Sequence, residues 1–489
     1  MNTIKSYASL LIDTVWARLI FAALAGALSA FAMAPGNHWY TLITGLGLLF
    51  ILQKRAKKPY HAFWIGWAFG FSYFLISLNW IGNALLVEGN DFIWAYSLAV
   101  SGLPCLLAFF TAIACYFSRK LTSNNVIHSL ISFIMLLGTM EVLRGYVFTG
   151  FPWNLYGYAW GGQIEILQIL SVMNVYGLTF ITISWGALAG VTFSPGVSIK
   201  MRLISALIFM ATFGALHIYG ADRLKNAPPM LAENNLTIRL IQPNIQQADK
   251  WKRDKMLQNY EHLLALSANN DAQSDLRKEK LSPQTTWIVW PETAISYHHI
   301  GTEHMHDMLR NMLRTYKDNV YLITGILLKN QNDNSYSNSI VIIDKNAEII
   351  ARYDKSHLVP FGEYIPFQQW IPLQTVTQFS GFRAGKGRQT LVMPDDKKIG
   401  PLVCYEILFP GQVVEVQNKP DYIVNVTNDA WYGHSAGPEQ HLMKARYRAI
   451  EENTPVIRVA NTGYSAIIDG FGRYVVKTNL FETNIKEFK

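Results

Sequence analysis

Residues 203–242 read LISALIFMATFGALHIYGADRLKNAPPMLAENNLTIRLIQ, and the fold turns on the change of pattern inside them. Up to residue 219 the stretch is one apolar run, close to the roughly 20 residues a membrane-spanning helix needs. From Leu236 the pattern becomes LTIRLIQ, short and rich in Ile and Leu, as in a strand covered on both faces. Residues 222–235, with Asp222, Arg223, Lys225, Pro228 and Pro229, read as a linker between two different materials.

The rest of the chain divides at the same place. Of its 489 residues, half are apolar and 16% charged, where a soluble chain carries about 25% charged. This excludes a disordered protein and argues against a purely soluble one. Residues 1–221 hold eleven of the 42 Lys and Arg and five of the 34 Asp and Glu. The pI of about 9.1 does not indicate nucleic acid, because most of the basic excess lies between apolar runs rather than on one folded face. Cys105 and Cys115 lie in an apolar run and Cys404 stands alone, so no disulfide framework is implied. Cys404 is then either an inert buried residue or a working thiol.

Apolar runs recur at 17–34, 40–52, 62–82, 92–117, 126–148, 164–193 and 203–219, giving seven expected spans with the second one short. Lys54, Arg55, Lys57 and Lys58 follow the second, Arg119 and Lys120 the fourth, Lys200 and Arg202 the sixth. The intervening loops are nearly free of basic residues, and the one after the third span holds Glu88 and Asp91. Positive charge marks the cytoplasmic side, so the N-terminus with Lys5 and Arg18 is expected inside and everything after residue 220 outside. Ala32-Met33-Ala34 resembles a signal-peptide cleavage site, but Pro35 and six further spans argue against cleavage. Glu141 and Arg144 are nearly the only ionisable pair within the spans. They read as a self-neutralising i,i+3 pair, too little for a transporter.

From residue 236 the runs LTIRLIQPNI, TTWIVWPE, VYLITGIL, SNSIVIID, IGPLVCYE, YIVNVTND and PVIRVAN alternate in part with helical stretches near 249–268, 302–317 and 436–453. They predict one layered α/β domain, with Asn269 to Pro283 as a surface loop. Three strand ends carry residues that packing does not require: Glu292 after Trp290-Pro291, Lys355 after Tyr353-Asp354, and Cys404 before Tyr405-Glu406. Singly each has a plain reading as a turn acid, a solvated lysine or a small buried hydrophobe. Together they supply a thiol, a carboxylate base and a fixed cation, which is what covalent acyl transfer needs.

The order WPE, YDKSHLVPFGE, CYE resembles the nitrilase superfamily, whose Glu-Lys-Cys triad sits on an α-β-β-α sandwich. EVLRGYVFTGFPWNLYGYAW (141–160), QPNIQQADKW (242–251) and NDAWYG (428–433) narrow the resemblance to the bacterial apolipoprotein N-acyltransferase family. It implies a polytopic α-helical membrane domain over 1–221, then a nitrilase-like α/β domain over 236–480 on the periplasmic side of the inner membrane. It also implies Glu292 as general base, Lys355 as catalytic lysine, Cys404 as nucleophile and Glu363 as a second essential glutamate. Tyr405 and Glu406 match residues flanking the nucleophile, and Trp251 and Trp431 match aromatics of the substrate-facing region. The implied reaction moves an acyl chain from a phospholipid, chiefly phosphatidylethanolamine, to the α-amine of a diacylated apolipoprotein, without cofactor or metal. Family members usually carry an eighth span after the catalytic domain, whereas residues 481–489 offer none.

Other signals are weaker. His298, His299, His304 and His306 lack the companions of a zinc site. GFRAGKG at 381–387 falls one residue short of a P-loop and reads as a plain loop. Lys250, Lys252, Arg253 and Lys255 read as a solvated helix face, which in this setting could also meet phospholipid head groups. Two other classes stay open at this point, a tethered amidase with water as acceptor and a membrane scaffold without activity.

Overall fold

The computed structural model describes residues 14–88, 92–122, 125–229, 235–268, 285–295, 302–330, 335–365 and 381–488. It divides into two compact units. One holds Met1–Gly82, Trp94–Ala227 and His434–Met443; the other holds Asn83–Ile93, Pro228–Gly433 and Lys444–Lys489.

In the first unit, seven long helices cover the seven apolar runs: α1 Val15–Ser29, α2 Trp39–Lys54, α3 Pro59–Ser77, α4 Tyr96–Leu121, α5 Val126–Arg144, α6 Val175–Phe193 and α7 Ile199–Lys225. Their starts follow local chemistry. Thr14 Oγ1 accepts the Ala17 N–H at 3.2 Å, Asn125 Oδ1 accepts that of Ile127 at 2.8 Å, and Pro59 opens α3. Among the described residues five helices are long and apolar enough to cross a membrane, and a sixth if α3 and the bent continuation Asn79–Leu86 form one span. At 16 residues α2 rises only about 24 Å, less than the hydrocarbon thickness.

Two sequence expectations need correction. The sixth run is not one helix; Ile164–Leu167 and Leu170–Met173 precede α6. Asn174 makes the break, because its side chain takes the Tyr176 N–H at 2.9 Å and starts a new helix. The expected linker from residue 222 is partly helical, since α7 runs to Lys225.

Glu141 and Arg144 do more than neutralise each other. Their bidentate pair, at 3.1 and 2.9 Å, leaves Arg144 free to donate to the carbonyls of Phe151 and Trp153 at 2.7 and 2.8 Å, fixing the chain beyond α5. The same unit is closed by one side-chain amide. Gln440 Oε1 accepts from Trp80 Nε1 (3.1 Å), Trp153 Nε1 (2.8 Å) and Asn154 Nδ2 (3.2 Å). Its Nε2 donates to the carbonyls of Ala34 and Ser77, both at 3.1 Å.

The second unit stacks two six-stranded sheets. The first has the order β12-β1-β2-β3-β4-β5, the second β11-β10-β9-β8-β7-β6. In chain order the strands are β1 Leu236–Gln242, β2 Thr285–Val289, β3 Asn319–Lys329, β4 Tyr336–Ile343, β5 Ile349–Asp354, β6 Leu391–Val392, β7 Lys398–Val403, β8 Tyr422–Thr427, β9 Val456–Ala460, β10 Ala466–Ile468, β11 Tyr474–Lys477 and β12 Asn484–Phe488. Leu240, Trp287, Ile340, Val403, Val424 and Val459 belong to a core that joins the inner faces of both sheets. A second core packs α8 (Arg253–Ser267) and α9 (Glu303–Leu313) on the outer face of the first sheet through Leu263, Leu309, Ile288 and Leu322. Helix α10, Gly437–Glu452, starts in the first unit and ends in the second, where it buries Ala445, Tyr447, Ala449 and Ile450. The architecture is an α-β-β-α sandwich.

The boundary expected at residue 480 is also corrected. β12 pairs antiparallel with β1, Ile238 opposite Phe488, and Arg239 meets Glu487 at 2.7 Å. NIKEF is mostly polar and exposed, as an edge strand can be, and through it the domain continues at least to Phe488. Asn269–Pro283, His298 and His299 lie outside the described residues.

Candidate active site

The site gathers where β2, β5, β7 and β8 end. The β2 ladder continues one residue beyond Val289, with Trp290 N–H donating to the Ile323 carbonyl at 2.9 Å. Pro291 has no N–H to extend it, and the chain turns at Glu292, which is 7% exposed. Gly325 on β3 permits that turn: a Cβ there would lie 2.5 Å from Glu292 Cα. Lys355 follows β5, where its N–H donates to the Asn338 carbonyl at 2.8 Å. Its Nζ donates to Glu363 Oε1 at 2.8 Å and lies 4.0 Å from Glu292 Oε1. The other Glu363 oxygen accepts the Val359 N–H at 2.8 Å. The GFRAGKG loop is a loop, and it buttresses this strand end: Gly385 N–H donates to the Lys355 carbonyl at 2.8 Å, and a Cβ at Gly385 would collide with the Asp354 carbonyl at 2.1 Å.

Cys404 follows β7 in a left-handed backbone conformation, φ +50°, and opens the tight turn Cys404–Leu408. A non-glycine residue holds such a φ only when its surroundings fix it. Glu406 does so. Its Oε2 accepts the Val403 N–H at 2.8 Å. Its Oε1 accepts from Tyr353 Oη (2.7 Å), Ser356 N (2.8 Å), Ser356 Oγ (2.9 Å) and His357 N (3.0 Å). Glu406 therefore clamps the Cys404 turn to the strand end that carries Lys355. Tyr405 is buried against Phe409, ring centres 5.2 Å apart.

Two family models match the two parts of the chain. Residues 25–188 match the apolipoprotein N-acyltransferase N-terminal domain and residues 237–486 match carbon-nitrogen hydrolase. The chain is 35% identical over 480 residues to the apolipoprotein N-acyltransferase of Rhodopseudomonas palustris, covering 95% of this chain and 88% of that one. It is 37% identical over 467 residues to that of Rickettsia typhi, covering 94% and 89%. The chain belongs to the apolipoprotein N-acyltransferase family. Membership places it among the membrane acyltransferases of lipoprotein biosynthesis.

Charge balance in this family member follows from burial. Burial raises the pKa of Glu292, reinforced by Glu363 and opposed by Lys355, Asn338 and Lys250. Burial also pushes the Cys404 thiol up, with Glu292 adding to the effect and Lys355 working against it. For Lys355 burial disfavours the cation, but Glu363, Glu292 and Cys404 outweigh it and its pKa is raised. Both shifts favour the protonated thiol and the ammonium in the resting site.

Trp251 lines a cleft with Pro291 and Thr293, next to the Glu292 turn. Trp431 sits half-buried on the turn Asp429–Tyr432 and touches none of the four central residues through a hydrogen bond or ring contact. Sequence reasoning missed Asn338, whose Nδ2 donates to Glu292 Oε1 at 2.8 Å and Glu363 Oε1 at 3.3 Å. Its signal was a polar Ser-Asn-Ser run inside an otherwise apolar strand. It also missed Asp429, fully buried, which accepts from Thr427 Oγ1 at 3.0 Å and Arg458 Nη2 at 2.8 Å. The reading of Lys250 as solvated is corrected, because it is 9% exposed. No group of three or more His, Cys, Asp or Glu suited to a metal occurs among the described residues.

Proposed function

We propose that this chain moves an acyl group from a phospholipid, chiefly phosphatidylethanolamine, through a thioester on Cys404 to the α-amine of the diacylglyceryl-cysteine that begins an apolipoprotein. Glu292 takes the Cys404 proton as sulfur attacks the ester carbonyl. Lys355, with a backbone N–H beside Cys404, faces the oxyanion of the tetrahedral intermediate. Collapse expels the lysophospholipid alcohol, which receives the proton held by Glu292. The incoming amine then attacks the thioester and gives a proton to Glu292, which passes it to the departing Cys404 thiolate as the C–S bond breaks, so the kinetics are ping-pong. Glu363 orients Lys355 through their charge-assisted hydrogen bond. Trp251 and Trp431 belong to the substrate-facing region.

The observation that carries this reading is the convergence of Glu292, Lys355, Glu363 and Cys404 at adjoining strand ends. A raised thiol pKa supports the need for a base at the moment of attack. The alternating basic loops support seven spans in a bacterial inner membrane, with the N-terminus cytoplasmic and the catalytic domain periplasmic. Intact-mass measurement after incubation with phosphatidylethanolamine tests the chemistry. An acyl adduct on Cys404 that persists until a diacylated lipopeptide is added supports transfer. An adduct that water clears at the same rate with and without the lipopeptide means an amidase-like hydrolase instead.

A further inference from the structure

Four basic residues surround Trp251, and one of them behaves unlike the rest. Lys252 is half-exposed and pairs with Asp249 at 2.8 Å, as a surface lysine does. Lys250 lies before α8 begins and turns inward. Its Nζ donates to the Glu292 carbonyl at 2.9 Å and to Thr293 Oγ1 at 2.7 Å. Among the described residues neither of these bonds, nor any other that Lys250 makes, goes to a carboxylate. A buried ammonium spent on a peptide carbonyl and a hydroxyl is costly unless its charge is used nearby.

The backbone it grips is itself strained. Thr293 has φ +47°, a region that a β-branched residue enters only under constraint. On one side of the turn Ala294 N–H donates to the Gly325 carbonyl at 2.9 Å. On the other side Lys250 holds the two residues that precede Ala294. The base turn is therefore held between β3 and one lysine.

We propose that Lys250 is a positioning residue for the reaction, holding the Glu292–Thr293 turn so that the carboxylate faces the thiol, and supplying a second positive charge that keeps this carboxylate ionised. The proposal rests on the reading of Glu292 as base. The charged or titratable groups facing Glu292 are Lys355 and Glu363 from the β5 side, Cys404 and Tyr432 from the turns after β7 and β8, and Lys250. Burial lowers the Lys250 pKa to about 8, against the pull of Glu292 and Cys404, so the ammonium persists at neutral pH. Lys355 is already committed to Glu363 at 2.8 Å and stands 4.0 Å from Glu292. Lys250 instead brings its charge to Glu292 through the backbone carbonyl of that residue and Thr293 Oγ1.

The full chain in detergent micelles containing phosphatidylethanolamine gives the test, by intact-mass rates of Cys404 adduct formation across pH. In wild type the rate rises with pH as Glu292 ionises. Lys250→Met should lower the maximal rate about tenfold and move this acid limb up by about one pH unit, as loss of a charge a few ångströms away requires. Lys250→Arg should keep the limb where wild type has it. Thr293→Val should lower the maximal rate without moving the limb, because it loosens the turn and leaves the charge. A Lys250→Met protein with wild-type rate and limb overturns the proposal. If that variant does not fold or forms no adduct, Lys250→Arg decides, adduct with the wild-type limb supporting the proposal and a displaced limb or no adduct overturning it. Absence of any Cys404 adduct in wild type would instead sink the reading of the site.

Discussion

Tyr353, at the end of β5 in one sheet, donates its hydroxyl at 2.7 Å to Glu406, two residues past Cys404 and the end of β7 in the other. One carboxylate thus ties the strand end that carries Lys355 to the turn that carries Cys404. Its five donors differ in what their loss removes. Tyr353→Phe deletes one neutral donor and should cost about 1–2 kcal/mol. Glu406→Ala strands several buried donors at once and should cost about 3 kcal/mol or more. Thermal unfolding should rank the two, and only Glu406→Ala should lose most of the Cys404 adduct. Equal adduct loss in both would mean that the clamp is not what holds the turn.

Cys404 is the one thiol at these strand ends; Cys115 is buried among the helices of the first unit. Cys404→Ser should abolish the acyl adduct, while Cys105→Ala and Cys115→Ala should leave it largely intact. Peptide mapping that finds the acyl group on Cys105 or Cys115 would end the proposed mechanism.

Glu292 and Glu363 share Asn338 and Lys355 as partners, yet only Glu363 holds Lys355 at hydrogen-bond distance. Glu292→Gln should fail already at thioester formation, since the Cys404 proton then has no acceptor. Glu363→Gln should still form thioester but pass it slowly to the amine. Mass spectra of both variants with donor alone decide the matter, and accumulation of thioester in Glu292→Gln but not in Glu363→Gln would reverse the roles.

In the proposed mechanism the working form of Glu292 is the carboxylate, and burial raises its pKa. Adduct formation should therefore fall as pH drops while still above the ordinary glutamate range, and stay high above the raised value. The stability contribution has the opposite sense. A carboxyl with a raised folded-state pKa binds its proton more tightly when folded, so its contribution is largest at acid pH and diminishes as pH rises through that value. Glu292→Gln should then unfold no earlier than wild type at neutral pH, which a thermal melt reads directly.

Orientation is tested without folding the second unit. A reporter fused after residue 225 reads only the side on which α7 ends, which the basic loops set. It should be active outside the cytoplasm alone, and one fused near Lys57 inside alone. Cytoplasmic activity of the first fusion would overturn both the orientation and the proposed place of reaction.

Part of this was legible in the sequence, because periodicity reports burial. Apart from the sixth run, broken at Asn174, the apolar runs gave the long helices, and Val- and Ile-rich segments gave β1 to β4 and β7 to β9 but not the short β6, β10 and β11. Glu292, Lys355 and Cys404 stood out as polar residues ending apolar strands. What stayed hidden depends on contacts between distant segments. The polar Ser337-Asn338-Ser339 run shows its purpose only once β4 lies beside both β3 and β5. Lys250 could not be told from Lys252 and Lys255, since which lysine turns inward depends on where the Glu292 carbonyl lies. β12 was missed because an edge strand of five mostly polar residues carries little hydrophobic signal.

Gln440 has a consequence for inheritance. Its amide lies far along the chain, beyond β8, yet it satisfies Ala34, Ser77, Trp80, Trp153 and Asn154 among the apolar helices. A recombination event that joined residues 1–227 to a foreign soluble half would discard that amide, leaving two indole N–H groups and a buried carbonyl without this partner. Such a loss costs about 1–3 kcal/mol for each group left unsatisfied. The helical unit is completed by a side chain that a cut at residue 227 would remove.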